Sequence, residues 1–212
     1  MKNLPLVLAL FFSLTAYAQE AQTGFDGHKW EAPYDLPKPK DWGIERFLIP
    51  ISFAPQVPYK GVEDIRFAPG WAKAASEEYW TYAFLWWLEE KPVMNAKIIE
   101  ENLKNYYTGL LQVNSDSSKT AGEKYIPVVT AFKKIKTFKG DKATFEGTVT
   151  MKDYMKRTPI TLHCVVQLAY CEEENRTVIF YQLSPKPRTH KNWAGLNRLW
   201  TGFKCIRTTK HE

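Results

Sequence analysis

Hydrophobic and polar residues alternate with a period of two along much of the chain, which is typical of strands with one buried face. The clearest example is Ala143–Lys152, where large apolar side chains alternate with threonine and glutamate. Residues 79–88 are apolar throughout, and there the aromatic richness favours a strand over a helix. The predicted strands are 46–53, 62–67, 79–88, 125–136, 143–152, 159–171 and 177–183.

Two segments instead repeat their apolar residues at helical spacing. The first follows Pro92 and the N-cap candidate Asn95, and its apolar stripe contains Ile99, Leu103, Tyr106 and Leu110. The second lies near the C-terminus, and its stripe contains Trp193, Leu196, Leu199, Trp200 and Phe203. Groups of neighbouring strands with few helices predict an α+β fold. We expect a mostly antiparallel sheet of about six to seven strands with two amphipathic helices packed on it.

The N-terminus has the three parts of a signal peptide in order. A short basic region (1–3) precedes an apolar stretch (4–14) and the small-x-small sequence Ala16-Tyr17-Ala18. The alternative is a buried N-terminal helix or strand. We therefore predict a signal peptide at 1–18, an extended arm rich in proline and aromatic residues at 19–44, and a single α+β domain at 45–212. The protein is expected to be secreted or periplasmic, with no membrane span after the signal.

Charge is distributed unevenly along the chain. The formal net charge is +6, and residues 103–212 carry 19 basic and 9 acidic side chains. A basic half can attract anionic partners such as polyanionic glycans or lipid headgroups. The alternative is that these lysines and arginines only form a solvated face. A nucleic-acid partner is not expected for an exported chain.

Three cysteines are available for disulfide formation, which export would permit. Cys164 and Cys171 are seven residues apart in one predicted strand, so they lie too far apart and point to opposite faces. Any disulfide must therefore use Cys205, and Cys171–Cys205 is the candidate pair. Three buried free thiols are the alternative.

Motifs that carry catalysis or metal binding are absent from the sequence: it contains no phosphate-binding glycine loop, no H-E-x-x-H, no G-x-S-x-G and no C-x-x-C. We predict no catalytic residue, no metal site and no cofactor. A hydrolase assembled from scattered residues such as His163 and Glu77 is an alternative, because catalytic groups converge in space.

Aromatic residues make up 15% of the chain, with eight tryptophans. Such rings bind sugars or apolar ligands, or they fill a core. The candidate ligand-binding residues are Trp80, Trp86, Trp87 and His163. Since Trp86 and Trp87 point to opposite faces, one of them must be covered by the arm, a helix or a ligand. The sequence favours a non-catalytic exported domain that binds a small apolar or glycan ligand or another envelope protein. A protein that docks through its charged surface during envelope assembly is the third hypothesis.

Overall fold

A computed structural model describes residues 24–115 and 126–206. In chain order the elements are β1 (Tyr34–Asp35), β2 (Gly43–Ile49), β3 (Gly61–Phe67), β4 (Tyr82–Leu88), α1 (Ala96–Val113), β5 (Val129–Lys134), β6 (Ala143–Lys152), β7 (Pro159–Cys171), β8 (Arg176–Ser184), α2 (Asn192–Thr201) and β9 (Lys204–Cys205). Seven strands form one antiparallel sheet in the order β2-β3-β4-β8-β7-β6-β5, and β1 pairs with β9. The predicted α+β class is confirmed.

The sheet is buried on both faces, because α1 packs on one face and α2 packs on the other. On the α1 face, Phe84, Trp86 and Tyr181 belong to the larger hydrophobic core. On the α2 face, Trp87 and Phe180 belong to a second core with the apolar stripe of α2. Burial on both faces explains why β4 is continuously apolar, with all seven of its residues buried.

Helix α1 begins where the sequence predicts it. The Asn95 side chain accepts a hydrogen bond from the backbone N–H of Ile98 at 3.0 Å, which caps the first turn. Gly109 then allows the helix to touch the turn that follows β2. A Cβ atom at this position would lie 1.6 Å from the carbonyl oxygen of Phe53, so only glycine permits this approach.

The described part of the arm, residues 24–42, is held on the α2 face of the sheet. Tyr34 is buried, and its ring lies 4.8 Å from that of Trp87. Arg66 donates hydrogen bonds to the carbonyl oxygens of Leu36 and Pro37. A disulfide joins Cys171, at the end of β7, to Cys205 in β9. This disulfide and the β1–β9 pairing fasten the arm and the end of α2 to the sheet.

Several predicted boundaries differ from the structure, and one short strand was not predicted. Strand β5 begins at Val129 and ends at Lys134, inside the predicted 125–136, and β3 and β8 differ from the prediction by one residue at one or both ends. Strand β2 starts at Gly43, inside the predicted arm, and it ends before Pro50, which has no N–H to continue the ladder. Strand β4 begins at Tyr82, because residues 79–81 belong to the preceding turn. The short strand β9 was not predicted, since two residues carry no periodic signal. The predicted signal peptide lies outside the described residues.

Candidate functional site

The tryptophans proposed for ligand binding lie inside the protein. Trp80 and Trp86 are 1% and 0% exposed, and Trp87 is 5% exposed. The Trp86 indole donates a hydrogen bond to the Glu63 carboxylate at 2.9 Å, on the α1 face. Trp87 lies on the α2 face, where Tyr34 of the arm covers it. The cover for this second face is therefore the arm together with α2, two of the three alternatives that the sequence left open.

His163 has a different environment from the tryptophans. It is half-buried on β7 and lines a cleft of about 400 Å³ on the α2 face, beyond the part that α2 covers. The cleft is also lined by Lys133, Glu146, Thr148 and Arg188. The Glu146 carboxylate lies 3.1 Å from Lys133 and 3.9 Å from Arg188. We call this the His163 cleft.

A second cleft, of about 470 Å³, lies at the end of the sheet where β4 and β7 begin. We call it the Tyr79 cleft, because the Tyr79 hydroxyl donates a hydrogen bond to Asp153 at 2.6 Å in its wall. The ammonium group of Lys156 lies 4.5 Å from the centre of the Tyr79 ring. Lys186 lines the same cleft. Burial, followed by the hydrogen bond to Asp153, raises the pKa of Tyr79 far above its usual range.

The third cleft, of about 610 Å³, lies between α2 and the loop that precedes β4. We call it the Trp42 cleft. Trp42, Lys191 and Arg198 are in its wall, together with Glu77 and Glu78. At its base, the first residue of α2 is anchored to the loop. The Asn192 side-chain amide donates to the carbonyl oxygen of Glu77 at 2.7 Å and to the Thr81 hydroxyl at 3.0 Å.

One short segment contributes to all three clefts: the connection between β8 and α2, residues 185–191. Lys186 lines the Tyr79 cleft, Arg188 lines the His163 cleft and Lys191 lines the Trp42 cleft. Residues 185–206 contain five basic side chains and no acidic one. Four of these basic side chains line the clefts, whose walls also contain Glu77, Glu78, Glu146 and Asp153.

The charges beside this connection are partly paired. Glu77 lies 2.5 Å from the Lys191 ammonium group and 3.8 Å from the His190 imidazole. The hydrogen bond from Lys191 lowers the pKa of Glu77 and raises that of Lys191. The Arg188 guanidinium lies over the Trp193 ring, with its central carbon 4.9 Å from the ring centre. Partial burial lowers the pKa of this guanidinium.

Two buried carboxylates were not predicted from the sequence, because β3 contains them in a short run with weak alternation. Glu63 and Asp64 are both 0% exposed. Glu63 faces α1, and burial raises its pKa to about 8. Asp64 faces the arm, where Arg66, Arg46 and the Tyr34 hydroxyl surround it. Neither residue lines any of the three clefts.

The described residues also limit the chemistry. Within residues 24–115 and 126–206, no group of three or more histidine, cysteine or acidic side chains is placed to bind a metal ion. In the same ranges, no helix is long and apolar enough to cross a membrane. The hydrolase candidates are not brought together, because His163 lines one cleft and Glu77 lines the other two.

Comparisons with protein-family profiles, with curated proteins and with solved structures give no match. Any functional conclusion therefore depends on the geometry of this chain alone.

Proposed function

We propose that this protein is a non-catalytic binding domain that recognises an anionic ligand around the β8–α2 connection. The observation that carries the proposal is that three clefts surround one short basic segment, with a different cation of that segment in each cleft. Long basic side chains at the walls of concave surfaces can attract and bind anions.

The titratable groups in the clefts support binding rather than covalent catalysis. Cys164 lies beside the His163 cleft, but its thiol packs in the core of the α1 face, and burial raises the pKa of the thiol far above its usual range, which disfavours the nucleophilic thiolate. The raised pKa of Tyr79 likewise disfavours the phenolate. Glu63, with its raised pKa, lies in the core and not at a cleft. These three groups favour their neutral forms.

Export is the second part of the proposal. It rests on the signal-like sequence at 1–18 and is supported by the Cys171–Cys205 disulfide, since disulfides persist in oxidising compartments. N-terminal sequencing of protein recovered outside the cytoplasm should begin at Gln19. A chain that begins at Met1 would contradict the export prediction.

The binding proposal can be tested with heparin as a soluble polyanion. The variant Lys186→Gln/Arg188→Gln/Lys191→Gln removes one cation from each cleft. A control variant, Lys60→Gln/Lys97→Gln/Lys104→Gln, has the same net charge as the cleft variant. The three lysines that it replaces are exposed and line none of the clefts. Retention on a heparin column and affinity by isothermal titration calorimetry are measured for both variants and for the unsubstituted protein.

We expect the cleft variant to elute from heparin at a salt concentration lower by roughly 100 mM than that of the control variant, because fewer counterions are released on binding. Equal elution of the two variants would mean that heparin responds only to net charge, and the proposal would be wrong. Circular dichroism and thermal unfolding of both variants verify that the comparison is between folded proteins.

A further inference from the structure

The Trp42 cleft combines an aromatic ring with a guanidinium group beside a glycine surface. An ideal Cβ on Gly195 would lie 3.3 Å from Cζ2 of Trp42 and 4.0 Å from Nη2 of Arg198. The absence of a side chain at Gly195 therefore allows the edge of the Trp42 indole to pack closely against α2, beside the Arg198 guanidinium. Trp42 is half-buried and Arg198 is exposed.

The charged side chains of the Trp42 cleft differ in whether another group of the protein already pairs with them. Glu77 is engaged by Lys191, and the Glu78 carboxylate accepts a hydrogen bond from the backbone N–H of Gly70 at 2.9 Å. The described part of the chain places no carboxylate in an ion pair with Arg198. This arginine is thus the cation of the cleft that is best placed to receive an anion from solution, and its planar fork suits a carboxylate or sulfate.

We infer that the Trp42 cleft is a subsite for one residue of an acidic glycan, a sugar that carries a carboxylate or a sulfate. This inference rests on the proposed function and specifies its ligand. The C–H face of a pyranose ring packs against the Trp42 indole, which offers a large apolar contact area. Arg198 pairs with the acidic group, while Lys191 and the side chains of the facing loop contact hydroxyl groups. The volume of about 610 Å³ is in the range of small-molecule sites.

The chemistry distinguishes this ligand from the simpler alternatives. An isolated inorganic anion would need Arg198 and Lys191 but would gain nothing from the indole. A neutral sugar would use the indole but would leave Arg198 without a partner. A ligand that uses both groups must present an apolar face and a negative charge within the same unit, as a uronic acid or a sulfated sugar does.

The test uses the mature chain and three probes: an oligogalacturonate, a neutral oligosaccharide of the same length, and inorganic sulfate. Calorimetry measures affinity, and the indole N–H signal of Trp42, assigned through Trp42→Phe, reports contact by NMR. Arg198→Gln is compared with Lys204→Gln, which removes one exposed charge outside the cleft. Trp42→Phe is compared with Trp30→Phe, which changes another half-buried tryptophan of the arm. Gly195→Ala adds a methyl group at the shared surface.

We expect oligogalacturonate to bind and to shift the Trp42 signal, with sulfate and the neutral sugar at least about tenfold weaker. Arg198→Gln and Gly195→Ala should each weaken binding about tenfold, while Lys204→Gln and Trp30→Phe leave it unchanged. Equal binding of the neutral sugar would overturn the acidic part of the inference. Binding that ignores Trp42, Gly195 and Arg198 but responds to the triple variant above would overturn this subsite and leave the proposed function standing. If the cleft variant and the control variant elute from heparin at the same salt concentration, both the proposed function and this inference are wrong.

Discussion

The Tyr106 hydroxyl of α1 donates a hydrogen bond of 2.7 Å to the Glu63 carboxylate of β3, across the interface between helix and sheet. The Trp86 indole donates to the second carboxylate oxygen at 2.9 Å. Within residues 24–115 and 126–206, this fully buried carboxyl group is therefore held by two neutral donors and by no cation, since the two arginines nearby face the other side of the sheet. Such an arrangement favours the protonated acid near neutral pH.

Because Glu63 is buried, we predict that the free energy of unfolding depends on pH. Its pKa is about 8 in the folded protein, against an ordinary value of 4.5, so the folded state binds the proton more tightly than the unfolded state. The free energy of unfolding should therefore fall as the pH rises from about 4.5 to 8, by an amount that reaches about 5 kcal/mol for a difference of this size. Below this window the contribution of Glu63 is fully present.

Glu63→Gln tests this prediction, because the amide keeps a similar shape and cannot ionise. Urea unfolding of both proteins between pH 5 and 8.5 should show a stability difference in favour of the variant that grows as the pH rises. Other titrating groups are common to the two proteins and largely cancel. A difference that stays constant across the range would show that the folded and unfolded pKa values of Glu63 are equal.

We predict that truncation of the Asp64 side chain causes a large loss of stability. Its carboxylate pairs with Arg66, which is 2% exposed, with Arg46 at 3.2 Å, and with the Tyr34 hydroxyl at 3.1 Å. Asp64→Ala would leave a buried guanidinium without its counter-charge, which costs about 3–5 kcal/mol. Denaturant unfolding measures the loss. Asp26→Asn serves as the control, because its ion pair with Lys29 is exposed and screened, and no measurable change is expected there.

The Cys171–Cys205 disulfide leads to two predictions: the number of thiols that react with a thiol reagent, and the loss of stability when the bond is removed. Cys171 and Cys205 are bonded and Cys164 is a buried free thiol, so a thiol reagent should find one reactive group per chain after unfolding and three after reduction. Replacing both bonded cysteines with serine should cost about 3–4 kcal/mol, because the bond closes a loop of 34 residues in the unfolded chain. Three thiols before reduction would show that the bond is absent.

We predict that a single methyl group added at Gly109 loosens the packing of α1. Gly109→Ala would raise intrinsic helix propensity, but its Cβ would overlap the carbonyl oxygen of Phe53, so the helix must move away from the turn. We expect a net destabilisation of about 1–3 kcal/mol in thermal or denaturant unfolding. Lys104→Ala, at an exposed position of the same helix, should leave stability nearly unchanged. A Gly109→Ala variant that is as stable as the original protein would contradict the observed contact.

Local patterns were sufficient for the regular elements. The alternation in β6 and β7 predicted both strands with the boundaries that the structure has, and Asn95 predicted the start of α1. Opposite projection of Trp86 and Trp87 followed from the two-residue period of a strand. Partners far apart in the chain could not be predicted in this way. Nothing in the local sequence indicates that Tyr34 covers Trp87, or that β1 pairs with β9.

The sequence by itself determined the α+β class and the projection of Trp86 and Trp87 to opposite faces of β4, because residue periodicity and apolar content act over a few neighbouring positions. It also limited any disulfide to one that uses Cys205, because strand geometry separates Cys164 from Cys171. Only the tertiary structure decided where the charges act. It buried Glu63 and Asp64, which look like surface residues in the sequence, and it gathered three clefts around residues 185–191. Those arrangements arise from chain segments that meet across the sheet, and their free energies depend on burial and distance rather than on position along the chain.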